Sequence, residues 1–402
     1  MSLMNDWAAL ARLASVALSL ASLLGLVAWW RGSLSKKAPA ARIAALTALT
    51  LFLCFDLVAF GAYTRLSDSG LGCPDWPGCY GEASPLGADA HIAQAETSMP
   101  SGPVTERKAW IEMIHRYLAG AVGVLIIAIT VLAVRARATL PGAWKLPALT
   151  LAWVIAQGLF GWLTVRWKLY PAIVTAHLLG GLGLLALLGW QYRGWVSSKA
   201  RPARAAEVLA QRGTRPALWL ACGVLLVQVA LGGWVSTNDA VLACTGFPGC
   251  NGAWWPAAGL DAWREGFTLL RERGHRADGQ VLSYEALMAI HWAHRLFALV
   301  VLAALTRLVL RLRAAGEAGQ RWAWIIAGLL LLQLSTGLSN VVLGWPLIAA
   351  LAHTAGAAAL VLALCAWAVV SRRPALTLAA SSPSAATGRR ASNPGRRGRT
   401  LH

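Results

Sequence analysis

Charge is what this chain has least of. Only 13% of its 402 residues are Asp, Glu, Lys or Arg, whereas a soluble globular domain carries about a quarter, so an ordinary water-soluble fold is excluded. Acidic side chains are the scarcest, 17 against 36 basic ones. The first apolar run, Trp7–Trp30, has no basic segment ahead of it and is long for the core of a signal peptide. It therefore reads as a retained helix. The tail after Val370 has few large apolar residues and is rich in Ser, Pro, Gly and Arg. It cannot bury enough surface to fold and is expected to be disordered.

In place of charge stand long apolar runs. About 20 apolar residues span a bilayer as a helix. Nine runs qualify, at Trp7–Trp30, Ile43–Ala62, Ile114–Val134, Leu146–Val165, Ile173–Tyr192, Ala217–Val235, His291–Leu310, Trp322–Leu343 and Ile348–Val370. Inside lipid each segment must pair its own backbone groups, so the runs are helices. The net charge of +19 could point to nucleic acid, but its distribution argues for topology. The loops at 31–42, 135–145, 193–215 and 307–321, with the tail, hold 24 Lys and Arg, and the alternate set holds 11. Basic loops stay cytoplasmic. This places the N-terminus outside and the tail inside a cell (plasma) membrane, with anionic lipid as a partner and no nucleic acid. Most of the 21 Trp flank the runs, as interface anchors do.

Self-comparison exposes a repeat. At an offset of 171, Gly61, Asp68, Leu71, Cys73, Pro77, Gly78, Cys79 and Gly81 fall on Gly232, Asp239, Leu242, Cys244, Pro248, Gly249, Cys250 and Gly252. His115-Arg116 falls on His294-Arg295 at 179, and Gln157, Gly161, His177 and Gly180 fall on Gln333, Gly337, His353 and Gly356 at 176. Shared Cys, His, Pro and Asp in one order exceed what apolar helices share by chance. The expected architecture is an all-α integral membrane protein of two tandem four-helix bundles related by pseudo-twofold symmetry. Residues 43–192 form the first bundle and 217–370 the second. An even helix count gives both the same orientation. Residues 1–42 add an N-terminal helix and linker, 193–216 a cytoplasmic linker, and 371–402 the tail. Glycines such as Gly120, Gly123, Gly180 and Gly183 allow close helix approach.

Of eight histidines, His91, His275 and His402 lie in loops or the tail. His115, His177, His291, His294 and His353 start helices that run inward, and so share one depth near the outer face. An ionisable residue at membrane depth is costly and points to function, although an interfacial histidine can simply donate to a carbonyl. Two imidazoles per bundle suit a haem iron, which brings four nitrogens of its own and needs only axial ligands. A closed zinc site needs about four protein ligands. Arg116 and Arg295 could pair with haem propionates or anchor the interface. Glu112 shares a helix face with His115. It could act as a base there, or be a solvated first-turn acid favoured by the helix dipole. His291 stands at the matching place in the second repeat and could compete with His294 as a ligand. Asp56, matched by Val227, could serve a proton path; a hydrogen bond to a neighbouring helix is the favoured reading. Cys54, Cys222 and Cys365 read as small apolar packing residues. Cys73–Cys79 and Cys244–Cys250 are C-x5-C pairs in outer loops. The oxidising exterior and the repeat favour two local disulfides. Zinc would want a histidine beside them, and a redox-active pair is the other reading.

The stretch Gly61-Ala-Tyr-Thr-Arg-Leu, then Gly70-Leu-Gly-Cys-Pro-Asp-Trp-Pro-Gly-Cys79, Glu112-x-x-His115-Arg116, His177, His294-Arg295 and His353 resembles the haem A synthase family over residues 43–370. That resemblance implies a haem b cofactor held in the second bundle by His294 and His353, and haem O bound as substrate at His115 and His177. It also implies oxidation of the haem O C8 methyl to a formyl group, giving haem A for cytochrome c oxidase. The resemblance further implies that Glu112 matters for the chemistry and that the loop cysteines form disulfides. A haem O synthase and an electron acceptor become expected partners. Two departures stand out: the first helix falls outside the family's eight-helix pattern, and the second loop lacks the Pro-Asp-Trp of the first. The residues alone reach two bis-histidine haem sites with an acid near only one. The alternative function is a non-enzymatic membrane b-type cytochrome or haem carrier.

Overall fold

The computed structural model describes residues 39–197 and 210–372. The run at 7–30, part of the 193–216 linker and the tail from 373 lie outside the described residues. Ten α-helices are described: α1 (Pro39–Leu66), α2 (Asp89–Ser98), α3 (Glu106–Arg135), α4 (Lys145–Arg166), α5 (Pro171–Ser197), α6 (Arg215–Thr237), α7 (Leu260–Gly266), α8 (Tyr284–Arg313), α9 (Gly316–Val342) and α10 (Leu347–Val370). Seven of the long ones are apolar enough to cross a membrane, which makes this a multi-pass, all-helical membrane protein. α8 has 30 residues, as many as α3, but His291, His294, Arg295 and Arg307 interrupt it and it is less apolar than those seven.

The helices outrun the apolar stretches at their polar ends. α3 begins at Glu106, capped by Thr105, whose hydroxyl accepts from the Lys108 N–H at 3.3 Å. α8 begins at Tyr284, where the Ser283 hydroxyl accepts from the Ala286 N–H at 3.2 Å. Such caps satisfy first-turn donors that helical pairing leaves over. Within the apolar segments the threonines turn inward, Thr47 donating to the Ile43 carbonyl and Thr50 to that of Leu46, each at 2.8 Å. Each of these two hydroxyls is then paired in a phase without water.

α1 packs against α3 and α5, α4 against α3 and α5. α8 packs against α6 and α9, and α10 against α9 and α6. Across the two sets α5 meets α6 and α10, and α1 meets α10. Leu218, Leu305, Leu308, Ile326, Leu364 and Trp367 join the second set in one buried cluster. Cys54, Val122, Ile126, Leu185 and Leu188 join the first, with Ala358 of α10 reaching in. Cys54 is buried and packs in this apolar cluster, while Cys222 and Cys365 are half-buried; none of the three is disulfide-bonded.

Candidate functional site

The helix packing brings the expected histidines together in pairs. His115 on α3 lies within electrostatic reach of His177 on α5, and His294 on α8 within reach of His353 on α10. Each ring rests where a neighbouring helix has a glycine. A Cβ at Gly61 would sit 3.0 Å from His115 Nε2, and one at Gly232 3.0 Å from His294 Cε1. At Gly161 it would sit 3.6 Å from His177 Cε1 and at Gly337 3.2 Å from His353 Cε1. Any other residue at Gly61 or Gly232 would push the ring aside. Phe60 stacks on His115, with ring centroids 6.4 Å apart.

All four residues are half-buried. The Nδ1 atoms of His177 and His294 are buried and lack a hydrogen-bond partner among the described residues. Two imidazoles brought near each other among apolar helices fit a haem iron, which needs only axial ligands. Among the described residues no three of His, Cys, Asp and Glu gather as a closed protein cage for a metal would require.

Above each pair lies a disulfide loop, Cys73–Cys79 after α1 and Cys244–Cys250 after α6. Both loops fold back through paired backbone hydrogen bonds, between Cys79 and Glu82 in one and Cys250 and Ala253 in the other. The Asp75 carboxylate braces the first by accepting from the Tyr80 and Gly81 N–H groups at 2.6 and 2.7 Å. Arg116 and Arg295, read as possible propionate partners or interface anchors, donate to carbonyls of these loops. Arg116 donates to the carbonyls of Asp75 (2.8 Å), Pro77 (3.3 Å) and Gly78. Arg295 donates to those of Gly246 and Gly249, both at 2.9 Å, and of Cys244. Asp75 and Gly246, and Gly78 and Gly249, are related by the offset of 171, so the two arginines hold matching carbonyls.

Glu112 and His291 are the partners of these arginines. Glu112 is 4% exposed; it accepts from Arg116 at 2.6 Å and from the Cys73 N–H at 2.8 Å. His291 is 5% exposed and its Nε2 accepts from Arg295 at 3.2 Å. His291 is thus turned toward the loop arginine, while the half-buried His294 is the member of that helix that meets His353.

Asp56 is exposed on α1 and makes no hydrogen bond to a neighbouring helix among the described residues, which corrects the favoured reading. One ionic cluster went unforeseen. Arg65, at the end of α1, donates to the Asp239 carboxylate at 2.6 Å and to the Ser236 carbonyl. Arg273 bonds Asp239 at 2.8 Å and lies 3.5 Å from Asp68, and Lys108 lies 3.3 Å from Asp68. Burial alone would raise the Asp239 carboxyl, but hydrogen bonds and charge from Arg273 and Arg65 outweigh it and hold the group below the usual aspartate value. Asp68 and Asp239 were visible as repeat mates; that each takes a cation from the other half was not.

Residues 44–365 match the family described as cytochrome oxidase assembly protein. The chain is 38% identical to the heme A synthase of Shewanella oneidensis over 79% of its own length and 92% of that protein. It is 31% identical to the heme A synthase of Paracoccus denitrificans over 76% of its length and 81% of that protein. It is 29% identical to that of Caulobacter vibrioides over 80% and 94%. With the family match spanning most of the chain and a relative at this identity over nine-tenths of its length, the chain belongs to the cytochrome oxidase assembly protein family that includes these heme A synthases.

Proposed function

We infer that this chain is a haem A synthase, a membrane oxidoreductase that converts haem O to haem A. Its family and its relatives' names support this, and favour it over a passive b-type cytochrome or haem carrier. The observation that carries the site-level reading is the pairing of four histidines, two and two, each against a glycine of a neighbouring helix.

In this reading the helices form two four-helix bundles, 43–192 and 217–370, related by a pseudo-twofold axis. The matching pairwise packing of α1, α3, α4, α5 and of α6, α8, α9, α10 supports it. His294 and His353 would hold a resident haem b through their ring nitrogens, and His115 and His177 would hold haem O as substrate. When bound, the haem b supplies one-electron redox chemistry. Everything else falls to the chain. The apolar helix walls exclude water. The glycines let the rings approach, and Arg116 and Arg295 hold the disulfide loops over the sites. Glu112, one turn before His115, takes up a proton at its carboxylate as the substrate's methyl group is oxidised to a formyl group, the electrons leaving to the electron acceptor and the oxygen atom entering from water or dioxygen. His291 in the second bundle offers no carboxylate, which fits a site that holds its haem without changing it. Haem O synthase and an electron acceptor are the proposed partners.

The proposed orientation in the cell (plasma) membrane puts both disulfide loops outside and the tail in the cytoplasm, as the loop charges favour. Labelling of Ser84→Cys and Ser384→Cys from outside should modify the first alone. Function is tested by pigment extraction from membranes that co-express the chain with a haem O supplier: haem A should appear, and should fail to appear with His115→Ala or His177→Ala.

A further inference from the structure

The two histidine pairs differ in what stands behind the ring. The Thr336 hydroxyl lies 3.0 Å from His353 Nδ1. The same hydroxyl lies 2.7 Å from the Leu332 carbonyl and 3.3 Å from that of Gln333. A hydroxyl has one proton and two lone pairs. A carbonyl cannot donate, so the short contact to Leu332 takes that proton, as threonines on apolar helices commonly do. The oxygen then meets His353 Nδ1 as an acceptor, and Nδ1 must carry the ring's proton. Nε2 is left with its bare lone pair, the form in which a neutral imidazole binds iron. The ring is held edge-on as well, with the Gly337 position, next to Thr336, 3.2 Å from Cε1.

The first pair has no such partner. The offset of 176 that matches Gln157 to Gln333 and Gly161 to Gly337 sets Phe160 against Thr336. A phenyl ring cannot accept from an imidazole as a hydroxyl does, and His177 Nδ1 is buried with no partner among the described residues.

We propose that Thr336 is a positioning residue for the haem of the second bundle: its hydroxyl fixes His353 in the Nδ1–H form and strengthens it as a ligand, while Phe160 leaves His177 the weaker ligand of an exchangeable haem. This rests on the reading of His353 as an axial ligand. An acceptor on the far nitrogen orients a ligating histidine and raises its basicity, and such partners commonly contribute 10- to 100-fold in affinity. A more basic ligand favours the oxidised iron, so the resident haem should have a lower reduction potential with Thr336 than without it. The first site is relieved of that hold, which suits a site that must release its product.

The test uses purified full-length protein and Thr336→Val, which keeps the branched shape and loses the hydroxyl, with Thr336→Ser as the rescue. Thr336→Val should shift the midpoint potential of the resident haem upward and speed haem transfer to apomyoglobin about 10-fold, with the low-spin spectrum retained. Thr336→Ser should restore both, and Phe160→Val should change neither. Loss of haem from Thr336→Val with retention in Thr336→Ser also supports the proposal; loss from both overturns it, because packing and not the hydroxyl is then at stake. An unchanged potential and transfer rate in Thr336→Val overturn it as well. A second readout needs no haem. Solid-state 15N spectra of histidine-labelled, haem-free protein, assigned by difference from His353→Ala, should show the Nδ1–H form at His353 in the parent and a mixture in Thr336→Val. The opposite tautomer in the parent overturns the proposal. The expected tautomer in a parent that never carries haem overturns the reading of the site and leaves the role of Thr336 standing.

Discussion

Arg116 Nη2 lies 2.6 Å from Glu112 Oε1, and both side chains are buried. The arginine also reaches three loop carbonyls, so one guanidinium joins the acid, the helix and the disulfide loop. Removing one member of a buried ion pair strands the other charge, at a cost of about 3–5 kcal/mol. Arg116→Met should therefore lower the unfolding temperature in detergent sharply. Glu112→Gln/Arg116→Met should lose less than the sum of its single variants, because no charge is left alone. Additive losses across that cycle would show that the pair is not coupled.

The disulfides brace loops of small sequence separation, 6 residues each. Closing so short a loop contributes about 2 kcal/mol on the chain-entropy account. Cys73→Ser/Cys79→Ser should thus cost stability modestly, and activity should fall as the loop loosens over Glu112. Mass spectrometry without reductant should find Cys73 linked to Cys79 and Cys244 to Cys250. Free thiols at all four positions in fresh membranes would contradict the pairing.

Asp239 gives a pH dependence with a definite sign. Its carboxyl is held below the usual value of 3.8 in the folded chain. The stability it adds is complete above that value and is lost as pH falls through the lower, folded one. The pair with Arg65 is half exposed on the acid's side, so the contribution is of order 1 kcal/mol or less. Asp239→Asn should be slightly less stable than the parent at neutral pH, and the gap should close in acid below pH 3.8. A gap that widens in acid would contradict this. Unfolding temperatures across the pH range measure it.

What was legible in the chain is what depends on one segment at a time. Apolar length marked the described long helices, and the Thr105 and Ser283 caps explain why α3 and α8 start ahead of their apolar runs. The repeat marked the four histidines, because a shared ring at a shared offset needs no knowledge of packing. What was not legible depends on two segments meeting. Arg116 and Arg295 read equally as propionate partners or interface anchors, because nothing in a linear chain shows loop carbonyls closing over them. His291 looked like a rival ligand because three residues separate it from His294; only the position of Arg295 turns it to the loop. Asp56 was read as bonded to a neighbouring helix, yet it faces outward. The exchange of cations between Asp68 and Asp239 crosses from one half of the chain to the other.

Histidine substitutions test the two proposed haem roles. His294→Ala or His353→Ala should remove the haem b proposed for the second bundle, since one imidazole leaves the iron a coordination position short. His115→Ala or His177→Ala should spare it. His291→Ala should keep the low-spin spectrum, because its Nε2 serves Arg295. Optical spectra of the purified variants decide this, and loss of haem b from His291→Ala with retention in His294→Ala would reverse the assignment.

The most direct test of the whole account is the haem content of membranes that receive haem O and carry either the parent chain or Glu112→Ala. The parent should convert haem O to haem A. Glu112→Ala should bind haem in both sites and accumulate haem O unconverted. Haem A formed by the variant at the parent rate would contradict a catalytic role for Glu112, and no haem A from the parent would contradict the enzyme itself.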